Sequence, residues 1–214
     1  MTDKPLSGRK AQAARNDKLI LEAAHEVFVA DPEAPIAEVA KRAGVGISAL
    51  YRRYPSKEDL LRKLAGDGLI RYTELAREAA DSEGDDWELF CAFMRKVVIA
   101  DTPSITVRLA GTFTPTPDMF GAAVAGQEAN DAMFARFKSS GVLRTDVENG
   151  DIQMITESLS SISLGSAERT RELRLRGLEL YLQALRAPGS GPLPASPPSE
   201  DEMASRWVPK SAKE

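Results

Sequence analysis

The sequence contains little cysteine and histidine, few aromatic residues and no long hydrophobic run. A single cysteine, Cys91, excludes an internal disulfide and any metal site built from several cysteines. The single histidine, His25, has no second ligand at metal-binding spacing, so we interpret it as a surface residue. No apolar stretch approaches the roughly 18 residues that cross a membrane, and the N-terminus lacks the apolar segment of a signal peptide. We therefore expect no membrane association, no metal and no cofactor.

Recognisable catalytic groups are also missing. The sequence shows no nucleophile paired with a base, no cluster of metal ligands and no glycine-rich phosphate loop, so we expect that the chain is not an enzyme. Of its 214 residues, 43% are hydrophobic, 28% are charged and only 6% are aromatic. Runs of alternating Val, Ile and Thr are absent, which favours an all-α fold over one containing sheets.

Helical periodicity divides most of the chain into nine segments. The predicted helices cover approximately residues 15–29, 36–43, 47–53, 57–80, 87–100, 103–112, 118–139, 151–164 and 168–186. Ser56 precedes the fourth helix, where its side chain is expected to cap the first turn together with Asp59. Proline, serine and charged residues dominate from Ala187 onward, which predicts a disordered tail.

The segment from Pro35 to Lys57 is the most informative stretch of the sequence. A first short helix is indicated by apolar residues on one face: Ile36, Val39, Ala40 and Ala43. Gly44 can adopt the left-handed conformation that ends a helix and turns the chain. Val45 and Leu50 then provide apolar anchors for a second short helix. This layout is that of a helix-turn-helix unit, whose second helix enters the major groove of DNA.

Charge supports this interpretation. Residues 41–57 carry five basic side chains and no acidic one, whereas the whole chain has 28 basic and 32 acidic residues and a net charge of −4. A basic island in an acidic protein indicates a surface that faces phosphates. The alternative is an ordinary solvated helix face, but the basic residues coincide with the turn.

The same residues resemble a known family signature. Residues 36–45 (IAEVAKRAGV) and 50–60 (LYRRYPSKEDL) resemble the DNA-binding signature of TetR-type transcriptional regulators, and the resemblance extends over about residues 15–65. Two positions depart from the pattern. Tyr54 stands where the family more often has phenylalanine, and Gly46 stands where it more often has a polar residue, so this chain offers DNA no side chain at that position.

The resemblance implies an all-α protein with an N-terminal three-helix head, which contains the helix-turn-helix, and a C-terminal helical domain for ligand binding and dimerisation. We expect a flexible N-terminal arm (1–14), a DNA-binding domain (15–65), an effector-binding and dimerisation domain (66–186) and a disordered tail (187–214). Such regulators act on double-stranded DNA in the bacterial cytoplasm, and we expect the same location here.

The resemblance also implies which residues meet a near-palindromic operator. Phosphate contacts are expected from Tyr51, Tyr54 and Lys57, along with Arg15 or Arg53. Base-edge contacts are expected from Ile47, Ser48 and Arg52. Of these, Arg52 is the best candidate for guanine.

A small-molecule pocket is likewise implied in the second half of the chain, where the aromatic and methionine residues concentrate. The candidate lining residues are Trp87, Phe90, Met94, Arg108, Phe113, Phe120, Gln127, Met133, Phe134 and Phe137. Met and Phe suit a hydrophobic ligand. The alternative is that these side chains only fill a core.

The last two predicted helices carry apolar residues on more than one face, and such helices must bury both faces. The resemblance implies that they pair with a second copy in a homodimer. The candidate interface residues are Ile155, Leu159, Ile162, Leu175, Leu178, Tyr181, Leu182 and Leu185. The sequence thus predicts a dimeric transcriptional regulator, a repressor released from its operator by a small hydrophobic ligand. The alternative is a DNA-binding regulator or architectural protein without a small-molecule effector.

Overall fold

The computed structural model of the chain describes residues 8–189 and 191–205, and within them the regular secondary structure is entirely helical. The helices are α1 (Gly8–Ala30), α2 (Ile36–Ala43), α3 (Ile47–Arg53), α4 (Lys57–Asp81), α5 (Asp86–Ala100), α6 (Thr102–Leu109), α7 (Pro117–Ser139), α8 (Asn149–Ser160), α9 (Ala167–Leu185) and α10 (Glu200–Ala204). The predicted all-α fold is confirmed. None of these helices is both long and apolar enough to span a membrane.

Helices α1 to α3 and the start of α4 form the head, which has its own hydrophobic core. Its buried residues include Ile20, Ala24, Phe28, Val39, Leu50 and Leu60. At the end of α2, Gly44 has φ 67°, and the N–H of Val45 donates to the carbonyl oxygen of Ala40 at 3.0 Å. The predicted left-handed turn is therefore confirmed, and it directs α3 across the head with Leu50 fully buried.

Helix α4 continues from the head into what we call the body, which comprises the second part of α4 together with α5, α7, α8 and α9. Its first turn is capped as predicted, because Oγ of Ser56 accepts a hydrogen bond from the N–H of Asp59 at 3.0 Å. Leu60, Leu61 and Leu64 belong to the head core, whereas Leu75, Ala76 and Ala79 belong to the body core. One continuous helix therefore connects the two cores.

The body is built from α4, α5, α7, α8 and α9 around aromatic side chains. Helix α7 runs alongside α4 in the same direction, since its Gly126 lies against Leu69 and its Arg136 bonds to the end of α4. The guanidinium of Arg136 donates to the carbonyl oxygens of Ala80 at 2.8 Å and Ser82 at 2.6 Å. Helix α4 is thus held against α7 along much of its length.

Helix α6 connects the body to the head. Its Ile105 and Leu109, and Phe113 just beyond it, are buried in the head core rather than the body core. Helix α6 also packs against α1, α4 and α8. A displacement of α6 would therefore reach the head directly as well as through α4.

Three helix boundaries differ from the sequence prediction by three residues or more. Helix α1 begins at Gly8, so residues 8–14 of the expected arm are helical; residues 1–7 lie outside the described part. Helix α6 ends at Leu109 instead of Thr112, where the Thr112 hydroxyl donates to the Leu109 carbonyl. Helix α8 ends at Ser160 instead of Leu164. Serine hydroxyls bond to carbonyls of the last turn at this point, which competes with helix propagation.

The described part of the C-terminal segment, residues 187–189 and 191–205, also differs from the expectation of disorder. The N–H of Ala187 donates to the carbonyl oxygen of Val142 at 3.0 Å, and the N–H of Leu193 donates to Asp146 at 2.9 Å. Arg144 further donates to the carbonyl oxygen of Gly191 at 2.5 Å. The proline-rich composition of this segment predicts disorder and gives no indication of these contacts. Trp207 lies outside the described residues.

Candidate nucleic-acid interface

Helix α3 presents one apolar face to the head and one mixed face to solvent. Leu50 is fully buried, whereas Ile47, Ser48, Tyr51 and Arg52 are exposed. Because Leu50 fixes the rotation of the helix, the exposed residues all point away from the head core. The structure therefore brings together the three residues expected at base edges and one of those expected at phosphates.

Tyr54 and Arg53, at the end of α3, bond to Asp17 of α1. The hydroxyl of Tyr54 donates to Oδ1 of Asp17 at 2.8 Å, and Arg53 donates to both carboxylate oxygens at 2.7 and 3.1 Å. The hydrogen bond from Arg53 lowers the pKa of the Asp17 carboxyl below its ordinary value. Burial, reinforced by the bond to Asp17, raises the pKa of the Tyr54 hydroxyl.

This arrangement corrects one expected DNA contact, that of Tyr54, whereas Arg53 stays exposed. Tyr54 is only 5% exposed and its hydroxyl already has an acceptor, so it supports α3 instead of reaching a phosphate. The guanidinium of Arg53 is held by the same carboxylate. Sequence reasoning missed Asp17 because an acid 36 residues upstream gives no local signal of its partner.

The remaining basic residues fall into two groups. Arg42 forms an ion pair with Glu26 of α1 at 2.5 Å. Lys41 and Arg52 are exposed, and no ion pair is found for either in the described part of the chain. Lys57 is half-buried, with Nζ 5.3 Å from the ring centroid of Phe28. Three of the five positive charges in residues 41–57 therefore have no acidic partner among the described ion pairs.

Arg15 lies on the exposed side of α1, two residues before Asp17. Its guanidinium donates to Oε1 of Gln12 at 3.0 Å. This contact is within one helix and fully exposed, so it costs little to exchange for another acceptor.

The expected ligand-pocket residues do not line one common space. Six are buried in the body core: Trp87, Phe90, Met94, Met133, Phe134 and Phe137. The rings of Phe90 and Phe137 pack edge to face with centroids 5.5 Å apart, as in a filled core. Of the other four, Phe113 joins the head core, Arg108 and Phe120 are exposed, and Gln127 donates to Asp131.

Two features of the body were not anticipated from the sequence. The hydroxyl of Tyr72 donates to Oδ1 of buried Asn130 at 2.6 Å, and burial raises the pKa of that hydroxyl. The amide Nδ2 of Asn130 has no hydrogen-bond partner in the described structure. A cavity of about 380 Å³ also lies elsewhere, between the C-terminal segment and the start of α8, with Met154 and Leu193 in its wall.

Only some of the predicted dimer-interface residues are exposed on the surface of the chain. Leu159, Leu178, Leu182 and Leu185 are buried in the core of their own chain, which corrects the expectation that they meet a partner. Ile155, Ile162 and Leu175 are half-buried against that core. Tyr181 is exposed, as are Leu164 and Leu180, at 62% and 65%. The exposed apolar residues here are therefore Leu180 and Tyr181 of α9 and Leu164 between α8 and α9, and not the inward-facing leucines.

Comparisons with known proteins agree with this geometry. Residues 20–64 match the sequence model of the tetR family of bacterial regulatory proteins. Over 51 residues the chain is 45% identical to the HTH-type transcriptional repressor LfrR of Mycolicibacterium smegmatis (strain ATCC 700084 / mc(2)155). This match covers 24% of the chain and 27% of LfrR, so it spans about a quarter of that relative.

Solved structures extend the similarity beyond the head. The TetR transcription regulatory protein from Mycobacterium vanbaalenii is 27% identical, with a TM-score of 0.53 over 83% of this chain and 99% of that one. The structure of LfrR from Mycobacterium smegmatis in complex with proflavine is 20% identical, with a TM-score of 0.50 over 78% of this chain and 95% of that one. Head and body thus share the architecture of these regulators.

Proposed function

We propose that the chain is a dimeric repressor, since its head matches the tetR family model and its head and body together have the fold of TetR regulators. It binds a near-palindromic operator and is released by a small hydrophobic ligand. The observation that carries the proposal is the two-sided helix α3, with Leu50 buried and Ile47, Tyr51 and Arg52 exposed.

The exposed face of α3 is the right size and chemistry for a major groove. Arg52 reaches guanine, with Ile47 and Ser48 beside it at the base edges, because guanidinium and guanine match in a bidentate pair. Tyr51 and Lys57 contact phosphates, and exposed Lys41 of α2 adds a further positive charge. Arg53 and Tyr54 hold α3 through Asp17.

Exposed apolar residues of α9 and of the segment between α8 and α9 support dimerisation. Leu164, Leu180 and Tyr181 are large apolar side chains, and Tyr181 lies beside the hydroxyl of Ser158 at 3.3 Å. Gly177 allows α8 and α9 to approach closely, since a Cβ there would lie 2.7 Å from a methyl of Leu159. Pairing of two such faces places two heads about one helical turn apart on DNA.

Ligand release follows from the connection of both cores by α4 and α6. A ligand that enters among the body aromatics separates α7 from α4 and changes the spacing of the heads, which lowers operator affinity. A crystal structure of LfrR contains proflavine, which shows that this fold can hold a flat aromatic compound. Opening of the packed contact between Phe90 and Phe137 is a requirement of this step.

Enrichment of genomic fragments on the purified protein tests the proposal. We expect a near-palindrome with half-sites about 10 base pairs apart, protected by a protein dimer. A Tyr51→Ala, Arg52→Ala double variant should keep its thermal midpoint and lose the enrichment. Enrichment that is equal for wild type and variant would contradict the proposed DNA-binding face.

One observation favours the alternative without an effector. Six expected pocket residues are closely packed in the body core. A thermal-shift screen of hydrophobic planar compounds, with proflavine among them, separates the two cases, because a ligand of the folded state raises the midpoint. Compounds that raise it and weaken DNA binding support the ligand-released repressor; a screen with no such compound supports the alternative.

A further inference from the structure

The only histidine of the chain lies where the head meets the body. His25 belongs to α1, and its Nε2 is 3.6 Å from Oδ2 of Asp101, in the turn between α5 and α6. This nitrogen is shielded from solvent and has no hydrogen-bond partner in the described structure. The side chain is 27% exposed, which corrects the expectation of a surface residue.

Asp101 is held firmly in place. It ends α5 in the left-handed conformation, with φ 54°, which aspartate tolerates better than most residues. Its Oδ1 accepts a hydrogen bond from Nη1 of Arg174 at 2.5 Å and another from the hydroxyl of Ser104. Because those donors occupy Oδ1, the other oxygen is left to face His25.

Arg174 extends the contact to the dimerisation helices. It is almost completely buried in α9, and it also donates to the carbonyl oxygens of Ser160 at 2.7 Å and Ile162 at 3.0 Å, at the end of α8. A basic group is favourable at a helix C-terminus, where carbonyls lack partners. One carboxylate therefore stands between α1 of the head and helices α8 and α9.

We propose that His25, Asp101 and Arg174 form a pH-sensitive link between the DNA-binding head and the dimerisation helices. Histidine is the side chain whose ordinary titration lies between pH 5 and 8, and the chain has one. Burial raises the pKa of the Cys91 thiol to about 11, so the only thiol does not titrate in this range. The one histidine of the sequence therefore lies at this junction, beside a carboxylate.

Other charges near α1 are engaged elsewhere. Helix α1 packs against α2, α4 and α6. Arg42 of α2 pairs with Glu26, Lys57 of α4 lies over Phe28, and Arg108 of α6 is exposed. Lys63 of α4 forms an ion pair with Asp67, and its charge also helps to lower the pKa of the Asp17 carboxyl. Asp101 is the carboxylate with which the described structure pairs His25, and Arg174 lies on the far side of it.

Protonation of His25 strengthens the link. The protonated imidazole of His25 attracts Asp101 and fixes α1 against the body, whereas the neutral imidazole does not, so the link weakens as pH rises. Its effect on DNA rests on the proposed function: the position of the head relative to α9 sets the spacing of the two heads, and operator affinity then depends on pH.

Unfolding experiments test the link without DNA. The quantity to compare is the difference in thermal midpoint between wild type and His25→Gln. We expect this difference to be about 2 °C larger at pH 5.5 than at pH 8. In an Asp101→Asn background, the same exchange of His25 should show no such dependence on pH. Equal pH dependence of wild type and His25→Gln would overturn the link. That comparison needs only His25→Gln, so it decides even if Asp101→Asn does not fold.

DNA binding tests the regulatory consequence. With a duplex enriched by the wild-type protein, the dissociation constant should change between pH 5.5 and 7.5 by about threefold more for wild type than for His25→Gln. Parallel pH profiles would overturn the regulatory role even if the unfolding experiment shows the link. Failure of the wild type to bind DNA at any pH would refute the proposed function and the regulatory role, while the unfolding result still decides whether the link exists.

Discussion

The hydroxyl of Tyr54 donates to Oδ1 of Asp17 across 2.8 Å, which ties the end of α3 to α1. The same carboxylate receives both hydrogen bonds from Arg53. Helix α3 is only seven residues long, and a helix of this length has little stability on its own. We therefore propose that Asp17 contributes to DNA binding by fixing the position of α3.

Replacement of this carboxylate should weaken the head. We expect Asp17→Asn to lower the free energy of unfolding at pH 7 by about 1–2 kcal/mol, after allowance for the exposure of Arg53. Because its pKa is lowered in the folded state, Asp17 stabilises above its unfolded pKa, and this stabilisation is lost as pH falls through the folded value. The difference between the two proteins, measured by urea unfolding, should therefore shrink below about pH 4.

Glu22→Gln is the matched control, because its 3.7 Å contact with Lys18 is exposed and lies within α1. It should change stability by less than about 0.5 kcal/mol. An Asp17→Asn protein as stable as this control at pH 7 would show that the contact to α3 contributes nothing.

Phe137 distinguishes a filled core from a preformed pocket. It is fully buried against Phe90, so Phe137→Ala should cost about 3–5 kcal/mol in the free energy of unfolding. If Phe137 already bordered an open ligand site, the cost would fall below about 2 kcal/mol. Chemical unfolding of both proteins, with Phe120→Ala as an exposed aromatic control, provides the comparison.

Leu180 tests which face of α9 pairs. Leu180→Glu should convert the proposed dimer to a folded monomer, because it introduces a charge among the exposed apolar residues without disturbing the buried leucines of the body core. Sedimentation equilibrium measures the mass. Ile99→Glu changes an exposed apolar residue of α5 and should leave the dimer intact. A Leu180→Glu protein that remains dimeric would place the interface elsewhere.

Lys57 tests the division between phosphate and base contacts. Lys57→Ala should weaken binding to all sequences by a similar factor and reduce the salt slope by about 1. The measurement is the dissociation constant for an enriched and a scrambled duplex at several salt concentrations. A loss confined to the enriched duplex, with an unchanged slope, would assign Lys57 a different role.

Local chemistry predicted the elements that depend on it. The turn at Gly44, the cap at Ser56 and the burial of Leu50 follow from nearest-neighbour rules, and the structure has all three. The spacing of apolar residues also predicted correctly that each long segment is helical. The position of the helix-turn-helix, and with it the exposed residues of α3, was therefore accessible from the sequence.

Pairings over long separations were not accessible. The partner of Tyr54 is 37 residues away, so the sequence could not distinguish a phosphate contact from a buried support. Helix α9 has two apolar faces, and nothing local indicates that Leu178 and Leu182 turn inward while Leu180 turns outward. His25 likewise gave no sign of Asp101, which is 76 positions later in the chain.

The most direct test of the DNA-binding face is the affinity of Arg52→Ala for an enriched duplex, measured by fluorescence anisotropy beside wild type and an Arg77→Ala control. Arg77 is an exposed arginine of α4, so the control removes the same charge away from α3. We expect Arg52→Ala to lose about 1–3 kcal/mol of binding free energy and to discriminate less at one guanine, with Arg77→Ala unchanged. Equal affinity and equal sequence preference in all three proteins would contradict the account.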